Sequence, residues 1–193
     1  MKYLENPYFY QLSVISTINM GKVKSAIAAE LPAPSGRTLD ICCGTGNFAG
    51  VARGEYLGID LNPAYISYAK KRFRGDPSKT FLVADITGFG FRPKYFDNTL
   101  LISALHHFSD EYLMAILDKI NQTTRGRIII MDPAMETRSP ISKLLIRLDR
   151  GSFMRSVDRQ IGLVSGKLKI IKHFTFYARL AHLRLIICSP RDT

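Results

Sequence analysis

Three acids, a pair of glycines and a pair of histidines stand where they could do chemistry. Asp40 interrupts an apolar run, and Gly44 and Gly46 follow it in the stretch T-L-D-I-C-C-G-T-G-N-F-A-G. Glycines let a backbone approach a ligand closely, and an acid inside a buried run is costly without a partner. Asp60 closes the next apolar run, E-Y-L-G-I-D, and Asp85 closes the third. Such carboxylates can accept hydrogen bonds from hydroxyls, amines or an ammonium. His106 and His107 follow the fourth run. An imidazole there could take a proton near pH 7.

These residues need a frame to hold them. A strand at about 38–43 runs through the glycines into a helix from Asn47 to near Gly54. Strand, glycine turn and helix start together read as a cofactor loop, with unpaired N–H groups at the helix start. Further strands fall at about 55–60, 80–84, 98–104 and 127–131. Asn62-Pro63 starts one intervening helix, since Asn can cap it and Pro suits its first position. Ser109 or Asp110 caps another, which runs to about residue 122. Residues 139–150 read as helical, and two strands close the chain at about 167–177 and 182–188. Only 178–181 separate those two, so they must form an antiparallel hairpin. Strands alternating with helices imply a parallel sheet covered on both faces. The fold class is therefore α/β: seven strands, mostly parallel, with a C-terminal antiparallel hairpin that adds one reversed strand.

At the other end, residues 13–30 read as one helix, with Val14, Ile18, Val23, Ile27 and Ala28 on a face. Tyr3, Tyr8, Phe9 and Tyr10 precede it, either as a pocket lid or as a staple to the body. The 193 residues read as a single domain. Its parts are an N-terminal lid (1–35), a cofactor-binding core (36–134), a substrate-side insertion (135–166) and the terminal hairpin (167–193).

Bulk composition narrows the class. Hydrophobic residues make up 46%, which argues against general disorder. No apolar run approaches the roughly 20 residues of a membrane span. The first ten residues hold acid and proline where a signal peptide needs an apolar core, so a cytoplasmic protein is expected. Cys42, Cys43 and Cys188 have neither zinc nor disulfide spacing, and no metal is expected. The net charge of +11 is uneven: residues 125–193 hold 14 Lys+Arg against 5 Asp+Glu. That third would attract an anionic substrate, a lipid headgroup surface or nucleic acid, or it is a solvated surface with no partner.

Two cofactors compete for the glycine loop. G-T-G-N-F-A fits the dinucleotide pattern, with Asp60 on the adenosine ribose. Asp40 would repel an incoming pyrophosphate, however, and the terminal hairpin departs from the dinucleotide fold. A ligand with an amino acid at one end and adenosine at the other suits Asp40, Asp60 and Asp85 together. On these residues the sequence resembles the class I S-adenosylmethionine-dependent methyltransferases, over 36–134 and, by topology, over 167–188. The family's acid-x-Gly-x-Gly-x-Gly motif matches D-I-C-C-G-T-G, with Cys42 at the first glycine. The resemblance implies a Rossmann-like sheet and a methyl donor, S-adenosylmethionine, which leaves as S-adenosylhomocysteine. It implies that Asp40, Cys42, Gly44, Gly46 and Asn47 surround the methionine end. Asp60 would take the ribose hydroxyls and Leu61 would pack beside the adenine. Asp85 and Ile86 would read the adenine amine, and Ser103 would lie under the cofactor.

Methyl transfer from a sulfonium is an in-line displacement with a neutral leaving group, so alignment dominates. A base helps only where the acceptor must lose a proton. His106 is the candidate base; His107 reads as mainly structural, near the substrate. Tyr10 and Arg150 are further candidates for substrate contact, with a carboxylate or phosphate suiting the arginine. The leading expectation is a small-molecule acceptor, anionic or lipid-like. Peripheral membrane contact is compatible with it. A nucleic-acid methyltransferase using the basic third, a non-catalytic cofactor-binding subunit and, more distantly, a nicotinamide oxidoreductase remain open. The sequence leaves the oligomeric state undetermined.

Overall fold

Alternation along the strands decides the layering. A computed structural model describes residues 6–32, 36–137, 139–148 and 152–191. The strands are β1 (Thr38–Ile41), β2 (Tyr56–Asp60), β3 (Lys79–Val83), β4 (Phe96–Ile102), β5 (Thr124–Pro133), β6 (Leu168–Ala178) and β7 (Ala181–Pro190). They form one sheet in the order β3-β2-β1-β4-β5-β7-β6. The first five are parallel to one another, and β7 and β6 pair antiparallel. The fold is thus the expected Rossmann-like sheet with its antiparallel terminal hairpin, in which β7 is the reversed strand.

The helices are α1 (Pro7–Thr17), α2 (Met20–Ala28), α3 (Pro63–Arg72), α4 (Asp110–Thr123), α5 (Pro140–Leu148) and α6 (Val157–Lys167). On one face of the sheet Leu39, Ile41, Leu101, Ile128, Ile130 and Ile186 pack under α4 and α6. Leu100, Ile102, Ile129, Met131 and Leu185 point the other way, toward Val23 and Ile27 of α2. Strands β4, β5 and β7 contribute alternate residues to the two cores, as the two-residue period requires. Asp40, between Leu39 and Ile41, therefore points to the face opposite α4.

Two expectations need correction, and one helix was not foreseen. The helix expected over 13–30 is two helices. Ile18 leaves helical geometry, forms a bridge with Arg179, and Asn19 caps the second helix by accepting from the Lys22 N–H at 3.1 Å. The helix expected from Asn47 is a three-residue 3-10 turn, Ala49–Val51. Gly50 and Gly54 lower helix propensity there, and the chain must already enter β2 at Tyr56. The expected rank of helix-start N–H groups is therefore absent behind the glycines. Finally, α6 is a helix that hydrophobic spacing did not reveal; Ser156 caps it, and its buried face is short, Gln160, Leu163 and Val164. Tyr3 and Arg150 lie outside the described residues.

Candidate active site

The three acids meet at one edge because parallel strands end together. Register pairs Ile41 with Ile59 and Asp60 with Val83, so Asp60 and Asp85 stand at adjacent carboxyl ends beside the glycine loop. In open α/β sheets that edge is where ligands bind.

The loop is bent by residues in the left-handed region: Cys42 (φ 58°), Gly44 (φ 55°) and Gly46 (φ 73°). Cys42 stands where the family has its first glycine, so that departure carries backbone strain of roughly 1–2 kcal/mol. Asp60 fixes the bend. Its carboxylate accepts the Gly44 N–H at 2.9 Å and the Asn62 N–H at 2.8 Å. Burial pushes Asp60 above its ordinary value, against those N–H groups. Beneath the loop, β2 offers Gly58. A Cβ there would come within 2.8 Å of the Cys43 sulfur and 2.9 Å of the Phe81 ring. Gly58→Ala should therefore lift the loop, lowering stability by about 1–3 kcal/mol and weakening cofactor binding. Thermal melts and calorimetry on the same variant read both effects. Unchanged binding would show that loop height does not matter.

Asp40 is buried, and the Tyr56 hydroxyl donates to it at 2.6 Å. Burial drives its pKa up to about 7, the Tyr56 bond opposing and the Asp60 charge adding. Asp85, half-buried just beyond β3, accepts from the Tyr112 hydroxyl at 2.7 Å and from the Thr87 N–H at 2.9 Å. Burial works upward on Asp85, but these bonds hold it below its ordinary value. Ile86 is buried in the α4 core, while Leu61 is 61% exposed at the carboxyl end of β2. Burial, with Asp60, Asp40 and Asp85 nearby, raises the Cys42 thiol; burial and the Asp40 charge raise Cys43, so neither is a thiolate nucleophile.

A narrow cleft opens beside the loop between α1 and the ends of β1, β4 and β5. Asp40, Cys42, Asn47 and Ser103 supply its polar wall; Tyr10, Val14, Ile18, Ile102 and Met131 supply its apolar one. Ser103 sits there at φ 54°, a strained residue at the end of β4. Helix α1 covers the loop. Tyr10 packs on Tyr65 with ring centroids 5.2 Å apart, and the Gln11 amide reaches Thr45 and the Asn47 side-chain oxygen, the latter at 2.7 Å. The Arg72 guanidinium also donates to Asn47, at 2.9 Å. Gln11, Tyr56, Arg72 and Tyr112 were not singled out by the sequence. Only Tyr56 left a signal: a buried tyrosine needs a partner for its hydroxyl, and an acid lies on the neighbouring strand.

The two histidines part company. His106 is 2% exposed, with Nδ1 2.7 Å from the Asp132 carboxylate at the end of β5. His107, read as the more structural of the two, is exposed, its ring 4.2 Å from that of His106.

These residues suit an S-adenosylmethionine-type ligand by their donors and acceptors. Carboxylates able to accept from an ammonium or a diol stand at one sheet edge, two glycines bend the loop beside them, and Leu61 lies bare next to Asp60. Fold and motif resemble those of the class I S-adenosylmethionine-dependent methyltransferases. Residues 38–126 match the family model described as a methyltransferase domain, so the chain carries such a domain and is an enzyme of methyl transfer. No curated protein matches the sequence. Among solved structures, it is similar to a Pyrococcus horikoshii OT3 protein at 17% identity and a TM-score of 0.74, covering 98% of this chain and 95% of that one. It is also similar to geranyl diphosphate C-methyltransferase from Streptomyces coelicolor A3(2) at 10% identity and a TM-score of 0.72, covering 89% and 76%. A third is magnesium protoporphyrin IX methyltransferase from Synechocystis PCC 6803, solved with bound S-adenosylhomocysteine: 16% identity, TM-score 0.68, covering 89% and 82%. At these identities the likeness is one of fold. Among the described residues no group of three or more His, Cys, Asp or Glu could hold a metal ion, and no helix is long and apolar enough to cross a membrane.

Proposed function

We propose that the chain methylates a small, largely apolar acceptor that enters beside α1. The observation that carries this reading is the wall of the cleft: Tyr10, Val14, Ile18, Met20, Val23, Ile102 and Met131 outnumber its polar residues. Such a wall suits a hydrocarbon body better than a nucleobase or a peptide amide. Two of the similar structures are named for geranyl diphosphate and magnesium protoporphyrin IX. In this reading 1–193 is one catalytic unit of lid, core, insertion and hairpin.

The residue roles are part of the proposal. Asp40 attracts the ammonium of the methyl donor, and Gly44 and Gly46 admit its methionine end past Cys42 and Asn47. Asp60 accepts from the ribose, Leu61 covers the adenine, and Asp85 with the Ile86 backbone reads its amine. Ser103 shapes the floor. Tyr10 and His107 line the way in for the acceptor, and Arg150, beyond the described residues, is the candidate for an anionic end. The donor supplies an activated methyl; the chain aligns the acceptor behind it and excludes water. Where the acceptor must lose a proton, His106 takes it. Asp132 fixes the ring through Nδ1, the orienting arrangement that prepares the other nitrogen as acceptor. His106→Gln should then leave donor affinity unchanged and lower turnover about 10²-fold, with its acid limb lost from the pH profile. An unaltered profile would return His106 to a packing role.

Labelled donor incubated with protein and lysate, then split into lipid, small-molecule, protein and RNA fractions, tests the reading. Label should appear in the lipid or small-molecule fraction. A second reading rests on β6, which exposes Lys169, Lys172 and Phe174 on one face and His173 and Tyr177 on the other. Cations interleaved with aromatics suit a single-stranded nucleic acid. Label in RNA, with affinity falling steeply as salt rises, would select it.

A further inference from the structure

Helix α1 is apolar on two sides and has no buried residue. Its inner side, Tyr10, Val14 and the adjoining Ile18, faces the cleft. Its outer side leaves Tyr8 (63%), Phe9 (52%), Leu12 (66%) and Ile15 (60%) in solvent. The segment Pro7–Thr17 carries no charged side chain at all. A helix apolar on both sides ordinarily lies within a core or against lipid.

A second helix shares its rim. The β6–β7 turn binds both: the Leu180 N–H donates to the Thr17 carbonyl at 3.1 Å, and the Ser142 hydroxyl donates to the Leu180 carbonyl at 2.6 Å. The start of α5 therefore lies near the end of α1, at the carboxyl edge of the parallel strands. It too leaves aliphatic residues bare, Ile141 (52%) and Leu144 (56%). Lys143 and Arg147 are exposed on the same helix, and Lys22 and Arg179 are exposed at the neighbouring starts of α2 and the turn. Glu136, which precedes α5 in the chain, is engaged by Arg184 at 2.7 Å. Between α1 and the turn runs an apolar groove lined by Ile15, Ile18 and Met20, with Arg179 at its side.

We propose that this rim docks on the surface of an anionic phospholipid bilayer, with the outer side of α1 in the boundary between headgroups and acyl chains. Apolar anchors with exposed cations on the neighbouring elements match such a surface on both counts. A second copy of the chain is the poorer occupant. A two-fold interface would set this cationic rim against itself, whereas lipid phosphates neutralise it. Docking here also places the cleft mouth next to the bilayer.

Flotation of the full chain with vesicles tests the proposal without reference to methyl transfer. Vesicles of phosphatidylcholine alone and vesicles with about one third phosphatidylglycerol are the two probes. The protein should float with the anionic vesicles, at least about tenfold more than with the neutral ones. Leu12→Glu with Ile15→Glu should abolish flotation, and Lys143→Glu with Arg147→Glu should remove the preference for anionic lipid. Unaltered melting of both variants confirms that they fold. Three results would overturn the proposal: no flotation of the native chain, equal flotation of the Leu12/Ile15 variant, or a native dimer that this variant converts to a monomer without any lipid binding.

Discussion

Replacing Asp60 by alanine is expected to abolish useful donor binding, raising the dissociation constant for S-adenosylmethionine by about 10²–10⁴-fold. Two effects add. A charged acceptor for two hydroxyls is lost, at about 1.5–3 kcal/mol each. The Gly44 and Asn62 N–H groups also lose their acceptor, and the bend that holds the glycine loop loses its tie. Leaving those donors unpaired should lower stability by about 1–3 kcal/mol apiece where water cannot reach them. Asp60→Asn separates the two effects, because its amide oxygen can still accept from one backbone N–H. It should recover part of the stability and little of the affinity. Calorimetry and thermal melting on both variants suffice; donor binding by Asp60→Ala within about threefold of the native protein would remove Asp60 from the site.

Asp40 gives the second large effect, and its sign is unusual. Its folded pKa lies near 7, raised mainly by burial from the ordinary 3.8. Between those values the folded chain binds the proton and the unfolded chain does not. Stability is therefore full below about pH 4 and falls as pH rises through 7. The difference amounts to about 4 kcal/mol at pH 8. Asp40→Asn should abolish this slope and melt above the native protein at pH 8, while binding the donor less well. The native protein should bind donor more tightly at pH 8 than at pH 6, since an ammonium is attracted to the carboxylate and not to the acid. A melting temperature that does not change between pH 5 and pH 8 would refute the assignment. On the proposed reading, Asp40 is a group kept for binding at the expense of stability.

Legibility in the sequence followed distance along the chain. Asp40, Asp60 and Asp85 could be found because each ends or interrupts a recognisable apolar run, and parallel strands bring such ends together. The hairpin was legible because four residues cannot carry a crossover. What escaped was made by long-range pairing. Gln11 reaches loop residues 34 and 36 positions away, and His106 meets Asp132 at 26. No local pattern encodes these. The break between α1 and α2 was hidden because Val14, Ile18, Val23 and Ile27 keep helical spacing across it, while Asn19 caps and Arg179 bridges. The exposure of His106 and His107 could not be ranked, because a 3-10 turn, and not a strand or an α-helix, decides which ring faces inward.

The 3-10 turn at Ala49–Val51 has a consequence for what leaves the site. A full helix pointing its start at the cleft would add positive potential there; three residues add little. The local field is set by Asp40 and Asp60, and it is negative once Asp40 is ionised. The donor arrives as a sulfonium cation and departs as an uncharged thioether. The charge lost in the reaction is thus the charge that the cleft prefers, so the spent molecule is held less firmly than the fresh one. Product inhibition should accordingly be weak, and the ratio of S-adenosylhomocysteine to S-adenosylmethionine dissociation constants should widen as pH rises through 7. Competition calorimetry at pH 6 and pH 8 measures that ratio, and a narrowing would show that turnover is limited elsewhere.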